Sequence, residues 1–126
     1  MRGLSVTVPH KERILPLLQS VSEKAAKVGA CNTVVRTEGG WAGYNTDIEG
    51  LKKTLLEFTG TKNLHGKKVA IIGAGGAAKA AAYVVWELKG KGCVFNRTLA
   101  SARSLAEKYG FAYSGLSINE IGRAHV

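Results

Sequence analysis

The chain has 126 residues, 45% of them hydrophobic, which is the size of one ordinary domain with enough apolar mass for a packed core. Its longest apolar stretch falls far short of the roughly 18–20 residues a membrane span needs, and its start has no secretory-leader pattern. A soluble, cytoplasmic protein is therefore expected (plastidial if the source is a plant), with no membrane partner.

The net charge is +9, from 18 basic and 9 acidic residues. The cations are dispersed along the chain, and no aromatic platform is interleaved with them. Anionic small molecules explain that charge at least as well as nucleic acid, and no nucleic-acid partner is expected. Cys31 and Cys93 are isolated and lack metal-ligand spacing. They read as small core residues in separate strands, and no metal site is expected.

Residues 4–8, LSVTV, are β-branched and apolar and predict a strand that Pro9 ends. From Lys11 to Val28 the pattern is helical in two pieces: Pro16 breaks the first, and Ser20 with Glu23 predicts a capping box for the second. Gly29 stands where a helix-ending glycine is expected. NTVVRT, EGG and WAGY then predict a hairpin, and Asn45-Thr46-Asp47 opens a helix that runs to about Phe58.

The polar, glycine-containing stretch 60–67 predicts a domain junction. After it come the strand KKVAII, the turn GAGGAA, the helix KAAAYVVWELKG, the strand CVFNRT and the helix LASARSLAEKYG. Strand and helix alternating through short loops predict an α/β unit with a parallel sheet.

Gly73-Ala74-Gly75-Gly76-Ala77-Ala78 fits the dinucleotide fingerprint G-x-G-x-x-G/A. The first glycine permits a tight turn, the second admits a pyrophosphate to bare backbone, and a small last residue lets helix and strand pack closely. The helix start then offers free N–H groups and partial positive charge to the phosphates. An NAD site usually carries an acidic residue at the end of the second strand. This chain has Asn96-Arg97-Thr98 there instead. A cation at that point suits a 2′-phosphate, so NADP(H) is the expected cofactor. The plain alternative for Arg97 is an exposed arginine at a helix start.

Ahead of this unit, three segments each end by presenting polar groups: Thr7 and Lys11, then Asn32, then Asp47. Singly they read as a solvated lysine, a turn residue and a helix-start acid. Together they fit a ketone–alcohol interconversion. Such a reaction needs a hydride carrier and a group that exchanges a proton with the reacting oxygen. A lysine oriented by an aspartate can be that group, with Thr7 and Asn32 hydrogen-bonding substrate hydroxyls.

The series SVTVPHK, GACNT, GYNTD, GAGGAA and FNRT, in that order and spacing, resembles the shikimate dehydrogenase family over about residues 3–115. The resemblance implies an oxidoreductase that acts on a CH–OH group. It would reduce 3-dehydroshikimate reversibly to shikimate with NADPH, on the route to chorismate and the aromatic amino acids. Carried over, Lys11 and Asp47 are the catalytic pair and Thr7 and Asn32 hold the substrate. Gly73, Ala74, Gly75, Gly76, Ala77 and Ala78 take the pyrophosphate, and Asn96, Arg97 and Thr98 take the 2′-phosphate. The chain departs from many relatives at Ser101, where they have a second arginine. Arg103 is nearby but about 200° further around a helix.

The implied architecture is part of a shikimate-binding α/β domain over residues 1–60, followed by the first half of a Rossmann NADP-binding domain over 61–119. On this view the chain is a fragment, with uncovered sheet edges and apolar faces, and is itself expected to be inactive. Its parent is compatible with a fusion to a dehydroquinate dehydratase domain. Residues 120–126 are unlike the family, because Ile121 to Val126 match an in-frame translation of a common sequencing adapter, and are expected to be an artefact. Quinate/shikimate dehydrogenases, which keep the Lys–Asp pair, are the near alternative. A module that binds NADP or shikimate without turnover is the non-enzymatic one.

Overall fold

A computed structural model describes residues 3–7 and 9–116. The elements in chain order are β1 (Gly3–Ser5), α1 (His10–Arg13), a 3-10 turn (Leu15–Leu17), β2 (Ser20–Val21), α2 (Glu23–Val28), β3 (Thr33–Thr37), β4 (Gly40–Tyr44) and α3 (Asp47–Thr59). Then follow β5 (Lys68–Ile72), α4 (Gly76–Glu87), β6 (Lys91–Asn96), α5 (Leu99–Tyr109) and β7 (Ala112–Gly115). No helix among the described residues is long and apolar enough to cross a membrane.

The strands form two sheets. The first has the order β1-β3-β4-β2, with β1 and β4 antiparallel to β3 and β2 parallel to β4. The expected hairpin is β3–β4, closed by Glu38-Gly39 between the paired residues Thr37 and Gly40. The second sheet, β5-β6-β7, is wholly parallel, as strand–helix alternation requires. Helices α4 and α5 pack on it, and α3 packs on α4.

One apolar core joins the pieces. Val28, Ala30 and Ile48 belong to the same buried cluster as Ala82, Val84 and Val85 of α4 and Leu105 of α5. The alanines of α4 let neighbouring backbones approach, while burial of Val84 and Val85 stabilises the fold by roughly 1.5–3 kcal/mol each. The parallel sheet leaves Ile72 62% exposed, and Phe58 of α3 stands 88% exposed. These are uncovered apolar surfaces of the kind anticipated above.

Several expectations are corrected. The stretch after Pro16 is not one helix, because Ser20 and Val21 form a short strand paired with Ala42 and Gly43. Two residues are too few for a period to register. The cap of α2 is accordingly Ser22, whose Oγ accepts from Ala25 N at 3.2 Å, not Ser20. Helix α4 begins at Gly76, inside the glycine motif, not at Lys79. Strand β7 was not anticipated, since FAYSG offers neither clear alternation nor a long apolar run. Of the cysteines, Cys31 is buried just ahead of β3 and not within a strand, while Cys93 lies in β6. Val8 and the expected artefact at 120–126 fall outside the described residues.

Candidate active site

The segment after β1 is stitched to the loop before β3. Val6 N donates to Asn32 O at 2.8 Å, and Cys31 N donates to Lys11 O at 2.7 Å. His10 N donates to Thr7 O at 2.8 Å, which starts α1 directly after the proline. The strand therefore ends by turning Lys11 toward α3.

Lys11 Nζ lies 2.9 Å from Asp47 Oδ2, with the lysine side chain only 15% exposed and the aspartate 37%. The other carboxylate oxygen, Oδ1, accepts from Asn32 Nδ2 at 2.9 Å. Asn32 Nδ2 also donates to Thr46 Oγ1, and Asn32 Oδ1 accepts from Thr46 N and Thr33 Oγ1. All four hydrogen-bonding positions of this amide are thus in use. Three segments far apart in sequence converge on one carboxylate, and charge-assisted bonds fix it at both oxygens.

Asn45 was not singled out in the sequence. It is the one buried polar residue among those described. Its Nδ2 donates to Ala30 O at 3.0 Å, and its Oδ1 accepts from Asp47 N at 3.0 Å. The side chain thus takes up one of the free N–H groups at the start of α3 and fixes where Asp47 leaves the helix. The available signal was an asparagine two residues before the acid at a helix start, which is an Asx-turn pattern. Thr7 is exposed and its hydroxyl makes no hydrogen bond to Lys11, Asn32 or Asp47.

The glycine turn lies at the carboxyl end of β5. Gly73 has φ +112°, a region L side chains rarely adopt, and its N–H donates to Phe95 O of the neighbouring strand at 2.7 Å. Gly75 is the N-terminal flank of α4, with no side chain capping the helix start. A Cβ placed on Gly75 would meet nothing within 4 Å. Gly75 and Ala77 are exposed, Ala74 is half-buried, and Gly76 and Ala78 are buried. The turn therefore offers an open rim of backbone beside uncapped N–H groups, which is what a phosphate group requires.

Because β5 and β6 are parallel neighbours, with Ile72 paired to Phe95, the loop after β6 lies beside this turn. Asn96 Nδ2 donates to Thr98 O at 3.1 Å, shaping that loop, while Arg97 and Thr98 are exposed. Arg103 is committed elsewhere, its Nε donating to Glu107 Oε1 at 2.8 Å one helical turn on. Arg97 is thus the cation presented at the carboxyl end of β6. The residues fit a dinucleotide, since the turn would hold its phosphates and Arg97 a further phosphate on the ribose.

The two parts of the site touch. Gly76 abuts the stem of Lys11, and Glu12 pairs with Lys79 at 3.0 Å, so α1 lies across the first turn of α4. Beside this crossing opens a cavity of about 400 Å³, lined in part by Glu12, Ala74, Lys79, Ser101, Ser104 and Lys108. Burial pushes the Lys108 ammonium below its ordinary pKa.

The chain is similar to known proteins in both sequence and structure. Residues 1–34 match the shikimate dehydrogenase substrate binding domain, and residues 55–125 match the shikimate / quinate 5-dehydrogenase family. A shikimate dehydrogenase (NADP(+)) of Shouchella clausii is 40% identical over 107 residues, covering 85% of this chain and 39% of the relative. The crystal structure of shikimate dehydrogenase from Aquifex aeolicus superposes with a TM-score of 0.86 at 37% identity, over 96% of this chain and 44% of that one. Shikimate 5-dehydrogenase of Thermus thermophilus, solved with NADP(H) and shikimate, gives 0.76 at 38% identity, over 90% and 42%. The chain spans about two-fifths of the length of the curated relatives it matches. On the match over residues 55–125, together with the substrate-domain match ahead of it, this chain belongs to the shikimate / quinate dehydrogenase family.

Proposed function

We propose that this chain supplies the proton-transfer pair and the dinucleotide turn of an NADP-dependent shikimate dehydrogenase, which interconverts 3-dehydroshikimate and shikimate. The observation that carries the proposal is the Lys11–Asp47 pair at 2.9 Å, seated directly against the glycine turn through Gly76. The names of the relatives, which include NADP(+) and shikimate, support the choice of cofactor and substrate.

When bound, the nicotinamide supplies the hydride for reduction or accepts it in the reverse direction. Lys11 donates a proton from Nζ to the oxygen that gains negative charge as the carbonyl is reduced, and takes it back in the oxidation. Asp47 holds the ammonium in place and balances its charge, and Asn32 and Asn45 hold Asp47. Thr7 takes a substrate hydroxyl, and Asn32 takes another by exchanging its bond to Thr46. Gly73, Ala74, Gly75, Gly76 and Ala77 form the phosphate cradle, with Asn96, Arg97 and Thr98 around the 2′-phosphate.

The test is to graft residues 3–116 into the Shouchella clausii enzyme in place of its matching segment and follow NADP+ reduction with shikimate. Turnover is expected, with Lys11→Ala lowering kcat by about 10²–10⁴-fold. Turnover that survives Lys11→Ala would sink the assignment. The family description joins quinate to shikimate, so the same assay with quinate decides the substrate.

A further inference from the structure

Gly76 occupies one of the three interior positions that the fingerprint leaves open to any residue. Its backbone is not in the left-handed region, so its conformation does not require glycine. What requires it is a side chain from the other half of the site. A Cβ on Gly76 would stand 3.0 Å from Lys11 Cβ, 3.0 Å from Lys11 Cδ and 3.5 Å from Lys11 Cγ. The first two approaches are tighter than carbon atoms ordinarily pack, so the lysine stem would have to give by a few tenths of an ångström. The adjacent Gly75 would meet nothing. Two neighbouring glycines therefore serve different ends, one turned to solvent and the other to the lysine.

We infer that Gly76 is a positioning residue for Lys11. Its bare backbone lets the lysine stem lie flat on the first turn of α4, so that the amine reaches Asp47. The stem of a lysine has several freely rotating bonds, and an ion pair at its tip alone leaves many paths between backbone and amine. Contact along the stem selects one of them. Glu12, the next residue, holds the same crossing through Lys79. A methyl at Gly76 would lift the stem off α4 and draw the amine from Asp47. Misplacement of about 1 Å in such a pair can cost a factor of 10² in rate. The functional meaning rests on the proposed role of Lys11 in proton transfer, whereas the contact itself does not.

The experiment reads the position of the amine and not turnover. The 126-residue chain is trace-labelled with acetic anhydride, and acetylation of Lys11 is measured by mass spectrometry relative to the exposed Lys53 and Lys62 of the same molecules. Gly76→Ala is expected to change relative Lys11 labelling by about five-fold or more, toward that of Asp47→Asn. Added to Asp47→Asn, it should alter labelling by less than about two-fold, because both changes act through one pair. Unchanged Lys11 labelling in a folded Gly76→Ala chain, or full additivity with Asp47→Asn, overturns the inference.

If Gly76→Ala loses cooperative unfolding, the double variant Lys11→Gly/Gly76→Ala decides, because it removes Cβ and Cδ of Lys11 and with them both close approaches. Regained folding supports the inference, and equal loss overturns it. Turnover surviving Lys11→Ala in the grafted enzyme would remove the catalytic reading and leave this labelling result standing.

Discussion

Lys11 Nζ and Asp47 Oδ2 are 2.9 Å apart across 36 residues of sequence, and the carboxylate is held from its other side by Asn32. Asp47→Asn keeps the shape and removes the charge that orients the ammonium. In the grafted enzyme it is expected to lower kcat by at least about 10²-fold, with a smaller change in the KM for shikimate. An equal loss expressed only in KM would make Asp47 a substrate ligand and not the partner of the lysine.

Arg97 stands exposed beside the glycine turn, and Arg103 is tied to Glu107. If Arg97 holds the 2′-phosphate, Arg97→Ala should weaken NADP+ binding by about 10–100-fold, the worth of a charged hydrogen bond, and leave NAD+ nearly unchanged. Affinities for both dinucleotides, measured by calorimetry on the grafted protein, check this. A parallel loss for both would place Arg97 on some shared part of the cofactor.

The sequence made some of this plain and hid the rest for physical reasons. The glycine turn was visible because its chemistry is local: Gly73 needs φ +112°, and such demands are written in adjacent residues. Lys11, Asn32 and Asp47 were visible only as a set, since each alone fits an ordinary cap, turn or surface position. Asn45 was missed because its task, bonding Ala30 O and Asp47 N, depends on the loop before β3 passing beside it. Strand β2 was missed because its two residues pair only once β4 is in place. The meaning of Gly76 lay in a contact with Lys11, 65 positions away, which no local pattern encodes.

The α3–α4 contact contains an ion pair that acid should loosen. Lys52 Nζ donates to Glu87 Oε1 at 2.9 Å, with the two side chains 33% and 27% exposed. The Lys52 hydrogen bond, opposed by burial and aided by the Tyr83 hydroxyl, holds the Glu87 carboxyl below its ordinary pKa. A depressed carboxylate pKa contributes stability that is fully present above the unfolded value of about 4.3 and lost as pH falls through the folded value. Glu87→Gln should cost about 0.5–1 kcal/mol at pH 7 and nothing once Glu87 is protonated in both states. Urea midpoints at neutral and acid pH measure the difference, and an equal cost at both would assign the effect to packing.

Tyr109 offers the opposite case, a buried polar atom that stabilises nothing. Its hydroxyl has no hydrogen-bond partner among the described residues. Its ring lies between Trp86 and Phe111, with centroids 5.8 Å from each. Burial, with a smaller contribution from Tyr83, pushes the phenol up to about 12. Tyr109→Phe keeps the ring contacts and removes the unpaired group, so it should raise stability by about 1 kcal/mol at pH 7. The sign at alkaline pH follows from the same burial. The unfolded chain releases this proton near pH 10 while the folded chain keeps it to about 12, so the native tyrosine loses stability as pH climbs through that window. The advantage of Tyr109→Phe should therefore widen between pH 7 and pH 11, as urea unfolding at the two pH values would show. A variant less stable than the parent at pH 7 would mean that the hydroxyl does find a partner in solution.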